Sequence, residues 1–346
     1  MIDPRVAIRE GVAATRSAHM RAMRLSGGDG AWETVSLLCA SEIFLRDRQM
    51  LHGLWLDDRA RPIFDVYVLR DDDAFVFVGE SEMDVVAHAR DHLRGGAVLD
   101  DFATTHDVIS LNGPFAWELL GELFGPDTIG LPYLGALRRD ATWVLRAGKT
   151  GEFGYDLIVA KDETARLTAR IDEVGARFDL AWAALDVVEQ CMLENWFFNV
   201  RREGRASLDV TPLELQLQWR ASRKRAFIGS EALAERRNRG IARRVITLVS
   251  SARMNDGDDV ALDGERIGTI VNAGGARHGS VEASFVALAL VDVAWAHPHV
   301  DAFTVGGLAA RSVTPPLPNN RSLAINLQQH AYATRDEIAF GPLWDR

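Results

Sequence analysis

The stretch Arg146–Lys161, RAGKTGEFGYDLIVAK, constrains this chain more than any other. Apolar residues up to Val144 and Leu145 predict a strand running into Gly148, and a second strand starts at Tyr155. Gly151 and Gly154 bracket a tight turn where positive φ is allowed. Alternation then puts Tyr155, Leu157 and Val159 on one face and Asp156 and Ile158 on the other. A carboxylate in the first positions of an apolar strand is costly to bury without partners. Asp156 therefore either ends an exposed strand or faces a polar ligand.

The rest of the chain bounds the surroundings of that hairpin. With 346 residues, 47% apolar and 25% charged, it can build two or three cores. A net charge of −10 and few basic blocks make nucleic acid an unexpected partner. Cys39 and Cys191 are too far apart to suggest a disulfide framework or a zinc site. His297-Pro298-His299 lacks a third ligand and reads as a loop. No apolar run is long enough to span a membrane and no signal peptide is visible, so no membrane partner and a cytoplasmic location are expected.

Asp47–Arg70 reads as a hairpin with strands Met50–Leu56 and Ile63–Leu69. Asp65 interrupts the second, a conflict of the kind found at functional positions. The bland alternative is an edge-strand aspartate facing water. Asp29 can cap a helix beginning near Ala31. Ala183–Phe198 reads as a long helix whose Glu189, Met192 and Trp196 share a face. That face is either core or a pocket wall. A basic linker at Arg236–Arg244 precedes a β domain with strands at Val245–Val249, Asp259–Leu262, Ile267–Val271, Phe285–Val291 and Ala302–Val305. Thr334–Arg346 reads as a tail.

The central stretch resembles the signature R-x-G-Y-T-G-E-x-G-(Y/V)-E-(I/L) of the folate-binding aminomethyltransferase family, that of the glycine cleavage T-protein. Other stretches resemble family motifs in the same order. Ser17, His19 and Met20 match D-x-S-H-M, and Asn112-Gly113-Pro114 is similar to L-Q-G-P. Thr211-Pro212-Leu213-Glu214 matches the T-P-x-E turn into a helix, and Ala226–Gly229 with Ala232-Leu233 matches D-F-I-G-x-x-A-L. Ile267–Ile270 resembles I-G-x-(V/I)-T at the start of the family's barrel. The likeness covers about Gly11 to Val305, and the chain is identified as a diverged member.

That resemblance implies an α+β fold in three parts: two interleaved α/β folate-binding domains and a small C-terminal β-barrel. The implied domains are residues 1–30 with 105–235, an inserted domain at 31–104, and a barrel with its tail at 241–346. The implied cofactor is tetrahydrofolate or a one-carbon derivative, held at its pterin ring by Asp156, with Glu152, Glu80 and Tyr155 as further contacts. Asp65 falls on the family's catalytic aspartate. His19, Met192 and Trp196 fall on the substrate side, and no metal is expected. The implied reaction is one-carbon transfer on a small amine or amino acid derivative, with a carrier protein as a further candidate partner. Phe64, Met192 and Trp196 depart from the pattern, and no Gly-rich leader precedes the first strand; both point away from the glycine-cleavage enzyme itself. The alternative is a folate-dependent O-, N- or S-demethylase. A third reading, a non-catalytic iron–sulfur assembly protein, lacks its K-G-C-Y-x-G-Q signature; Ala226–Gly229 stands there instead.

Overall fold

Pro62–Asp71 is buried along nearly its whole length, so its apolar run does not alternate as a half-exposed strand would. It lies in a five-stranded antiparallel sheet ordered Met50–Leu56, Pro62–Asp71, Ala74–Ser81, Met20–Ser26, Val98–Asp101. The computed structural model in which this is seen describes residues 2–275 and 285–338. A six-stranded sheet runs in the order Ala181–Trp182, Ala13–Arg16, His106–Asn112, Gly154–Ala160, Thr142–Leu145, Ala136–Arg139. Only its first pair is parallel. Six further strands close into a barrel. Fold and barrel are as the resemblance implied.

Strand alternation builds the layers. Tyr155, Leu157 and Val159 pack with Leu119, Leu120 and Ile171 of the helices Ala116–Phe124 and Lys161–Gly175. On the opposite face Ile158, Val108 and Leu145 meet Tyr67, Val76 and Val78 of the five-stranded sheet. That sheet's far face, with Trp55, Phe64 and Phe77, packs on Val35 and Leu38 of the helix Asp29–Leu38. Asp156 shares the Ile158 face and so points between the two sheets.

Several boundaries differ from expectation for physical reasons. Asp29 is the first helical residue, Gly28 is the cap, and no side-chain cap bond forms. Met20–Ser26, read with the first part, hydrogen-bonds into the five-stranded sheet. Arg236, Arg237 and Arg239 are the last turn of the helix Ser230–Arg239, where cations suit the dipole, and are no linker. Thr211–Glu214 is a turn rather than a helix start; Glu214 accepts from the Thr211 N–H at 2.9 Å and hydroxyl at 2.6 Å. The sixth barrel strand, Leu308–Val313, has a sequence, LAARSV, too weakly patterned to announce itself. The expected tail begins inside a short helical turn, Tyr332–Glu337, whose first residue Tyr332 is buried, and residues 339–346 lie outside those described. Among the described residues no helix is long and apolar enough to cross a membrane.

The turn after Arg146 is fixed from far along the chain. Arg9 donates to the Thr150 carbonyl at 2.6 Å, to Asn320 at 3.1 Å and to Glu194 at 2.7 Å, all buried. Asn195 donates to the same carbonyl at 3.0 Å. Gly151 has φ +85°, and a Cβ there would stand 2.5 Å from Asn195 and 2.6 Å from Asn320. Gly154 is needed for closeness instead, since its Cβ would meet the Ala147 carbonyl at 2.5 Å. Arg9→Met should strand the Glu194 carboxylate and cost about 3–5 kcal/mol, the scale for breaking a buried pair. Chemical denaturation measures this; a loss below about 1 kcal/mol would show the turn is held otherwise.

Candidate active site

Between the sheets lies a cavity of about 40 Å³, room for a few waters. Polar side chains on its wall include Thr15, Ser17, His19, Tyr67, Glu80, Ser110, Asn112, Lys149 and Asp156, with Met20, Val188 and Met192 supplying apolar surface. Neighbouring strands deliver these groups by register. Asp156 lies opposite Ser110, and Met20 opposite Glu80. A larger groove of about 610 Å³ runs along the helix Lys161–Gly175 on the other face of the six-stranded sheet. Its charged residues are exposed, as Arg16 and Lys161 are, or half-buried, as Asp107 is, and none of those lining it is buried.

Asp156 is 4% exposed. Its Oδ1 accepts from the Ser110 hydroxyl at 2.6 Å, and Ser110 is 2.7 Å from the Ser17 hydroxyl. Its other oxygen takes no hydrogen bond among the described residues. Burial pushes its carboxyl up to about 6, with Ser110 and then Lys149 pulling the other way. Asp156 thus presents an acceptor with open valence to the cavity.

Lys149 dominates the opposite side. Its ammonium, 7% exposed, pairs with Asp65, lies 3.2 Å from Glu80 and donates to the Phe198 carbonyl at 3.3 Å. Those contacts use its three N–H groups. Burial would lower its pKa, but Asp65 and Glu80 raise it, so the charge is fixed. Burial would raise Glu80; Lys149 and then His19 bring it down to about 2.

Asp65 sits behind this wall. Its side chain has no exposure and is paired with Arg220, Lys149 and His52, the last at 2.9 Å. Burial opposes its charge, but Arg220 and Lys149 outweigh it and hold the carboxyl well below the usual range. His52 is lowered to about 4, by burial first, and so is neutral near pH 7. Its ring stacks on Tyr67 with centroids 4.2 Å apart. The carboxylate in the apolar run is therefore neither at a wet edge nor on the cavity surface. It is the anionic centre of a sealed ion cluster.

The structure brings Asp156, Glu80, His19 and Met192 together on the cavity. It leaves Tyr155 on the opposite face, with a ring packed among helix residues and a hydroxyl that has no hydrogen-bond partner among the described residues. Strand alternation forbids both Tyr155 and Asp156 from reaching one ligand edge. Glu152 is turned away as well; it accepts from Ser322 N at 2.8 Å and Arg321 N at 3.1 Å and binds the C-terminal segment. Trp196 ends the helix Leu185–Asn195 in the left-handed region, φ 56°, and packs in a separate core. Glu189 points to Arg201 at 2.5 Å. So Met192 alone of that face lines the cavity. Lys149, Arg220, His52 and Ser110 were not singled out from sequence. For Lys149 a signal existed, because a lysine stands where the signature has tyrosine.

The comparisons agree with this architecture. A family description, "GCVT N-terminal domain", matches residues 4–225. The chain belongs to the aminomethyltransferase family. An aminomethyltransferase of Herpetosiphon aurantiacus is 30% identical over 220 residues, 58% of this chain and 59% of that one. A probable aminomethyltransferase of Natronomonas pharaonis is 26% identical over 327 residues, 90% of this chain and 88% of that one. The crystal structure of glycine cleavage system aminomethyltransferase T from Bartonella henselae superposes with a TM-score of 0.81 at 19% identity, covering 92% of this chain and 89% of that one. That match concerns the fold.

The ion cluster makes a sharp stability test. Asp65→Asn should leave Lys149 and Arg220 facing each other across a lost anion and destabilise by about 3–5 kcal/mol. Adding Lys149→Met should restore part of the loss, because the stranded ammonium is the costly remainder. Melting temperatures of the two variants and wild type decide it; additive losses would show that Lys149 and Asp65 do not depend on each other.

Proposed function

We propose that this aminomethyltransferase-family protein is a tetrahydrofolate-dependent one-carbon transferase acting on a small amine or amino acid derivative. One observation carries the reading: the buried Asp156 carboxylate keeps an oxygen open to the cavity while a neighbouring hydroxyl holds the other. A pterin edge presents adjacent N–H donors, which that carboxylate complements. Tetrahydrofolate would supply the nitrogens that carry the transferred carbon. Asp156 would hold its ring; Asn112 and Thr15 could bound it. The cavity is smaller than a pterin, and Met20 and Met192, flexible unbranched side chains, are the walls suited to yield. Among the described residues Lys149 is the lysine on the wall and has its donors engaged; a neutral or cationic amine fits better than an anion.

A second reading, folate-dependent demethylation, has its own support. Asp65, the expected electrostatic partner of a developing iminium, is neutralised by Arg220 and Lys149. Methyl transfer needs less from a bare carboxylate. The folate product tells the two apart: a 5-methyl form supports demethylation, and a methylene form supports the amine reading.

Asp156→Asn should weaken tetrahydrofolate binding by about 1.5–3 kcal/mol, the scale of a hydrogen bond to a charged group. The pH dependence has a definite sign. In the ligand-free protein Asp156 titrates near 6, and ring donors prefer it ionised. Affinity should therefore be weak below that pH, rise through it and level off above. The Asn variant should lose the part of that rise that Asp156 supplies. Calorimetric titration across this range measures both effects; unchanged affinity in a folded variant would remove Asp156 from the site.

A further inference from the structure

Each replacement of a substrate bond to the carried carbon by a bond to a folate nitrogen moves one proton, and a methylene product takes two such replacements. The carbon–nitrogen bond to the amine breaks and one to a folate nitrogen forms. The folate nitrogen gives up a proton, and the leaving amine gains one. No oxidant or reductant is involved. The proton needs a carrier on the cavity wall that can hold and release it near neutral pH.

Most wall groups are unsuited. Asp65 is sealed behind Lys149. Glu80 is held at about 2 and is a weak base. Lys149 has no lone pair while charged, and its donors are engaged. Burial pushes the Tyr67 hydroxyl well above its ordinary range, and it leans on the Gly148 carbonyl at 3.4 Å. Asp156 is committed to the ring edge. His19 remains. It lies in the turn closed by Met20 N–H to the Ser17 carbonyl at 2.9 Å. It lines the cavity with 13% of its side chain exposed. Its Nε2 is 3.8 Å from Glu80 Oε1, and its field reaches Asp156. An imidazolium formed there would have a fixed anion beside it.

We propose that His19 carries the proton of the transfer, accepting it from the folate nitrogen and returning it to the leaving amine, with Asp65 as a positioning residue that acts through Lys149 and Glu80. Both halves rest on the tetrahydrofolate reading. The chain Asp65, Lys149, Glu80, His19 is continuous: an ion pair, then 3.2 Å, then 3.8 Å. Arg201, 3.8 Å from the second Glu80 oxygen, completes the charges around it.

Proton and nitrogen-15 NMR of the histidine rings, with and without saturating tetrahydrofolate, tests this. His19→Gln assigns the His19 signals, and Glu80→Gln, which perturbs the same ring, assigns them if the first variant does not fold. Calorimetry establishes binding beforehand. An imidazole that accepts a folate N–H must be neutral. The His19 midpoint should therefore fall by about half a pH unit or more on saturation, with one ring nitrogen showing an acceptor shift, while exposed His297 and His299 do not move. If tetrahydrofolate binds and the His19 titration is the same in both states, the proton role is overturned and the folate reading stands. If the wild-type protein does not bind tetrahydrofolate, the folate reading falls and takes this proposal with it.

Discussion

The Lys149 ammonium between Asp65 and Glu80 is the interaction on which the site depends. It joins three pieces of chain: the turn after Arg146, the strand Pro62–Asp71 and the strand Ala74–Ser81. Charges so buried are tolerable only when paired and hydrogen-bonded. Here Arg220 and His52 satisfy the far side of Asp65, and Arg201 lies near the second Glu80 oxygen. The two sheets cannot slide past each other without separating these ions, so the cavity between them has a fixed shape on its charged side. Its apolar side, with two methionines, is the compliant one.

That asymmetry assigns different physical work to three carboxylates of similar burial. Asp65 and Glu80 are held ionised by cations and contribute a constant field. Asp156 has only a hydroxyl in direct contact, and burial pushes it up to about 6. The first two shape the cavity; the third is free to answer a ligand. Groups with environments that push their pKa values apart are the usual sign of divided roles.

How much of this could be read from the residues differs by element. The second strand of the hairpin around Gly151 and the barrel strand Asp259–Leu262 follow from local periodicity and turn chemistry, and they stand within a residue or two of expectation. Asp156 was marked by a local conflict, a carboxylate in an apolar strand. Asp65 was marked by the same conflict, yet its surroundings were not. Arg220 reaches it across 155 positions and the Lys149–Glu80 contact spans 69, and nothing in local pattern encodes such separations. Glu152 and Tyr155 show the limit from the other side. Adjacency to Asp156 in the motif suggested one ligand site, but alternation and the turn send the three side chains in three directions.

The clasp on the Gly-rich turn has a consequence for how the protein is made. Thr150 and Gly151 are gripped by Arg9, Asn195 and Asn320, and Glu152 by Ser322. Translation delivers the turn long before residues 320–322 emerge. At about 5–20 residues per second the hairpin waits on the order of ten seconds or more for its last partners. Through that interval a carboxylate at Glu152 and a guanidinium at Arg9 are made but not yet enclosed. Every residue that lines the cavity is therefore synthesised before the segment that clasps the turn beside it, and the first helix and the last segment meet over that turn only at the end of synthesis.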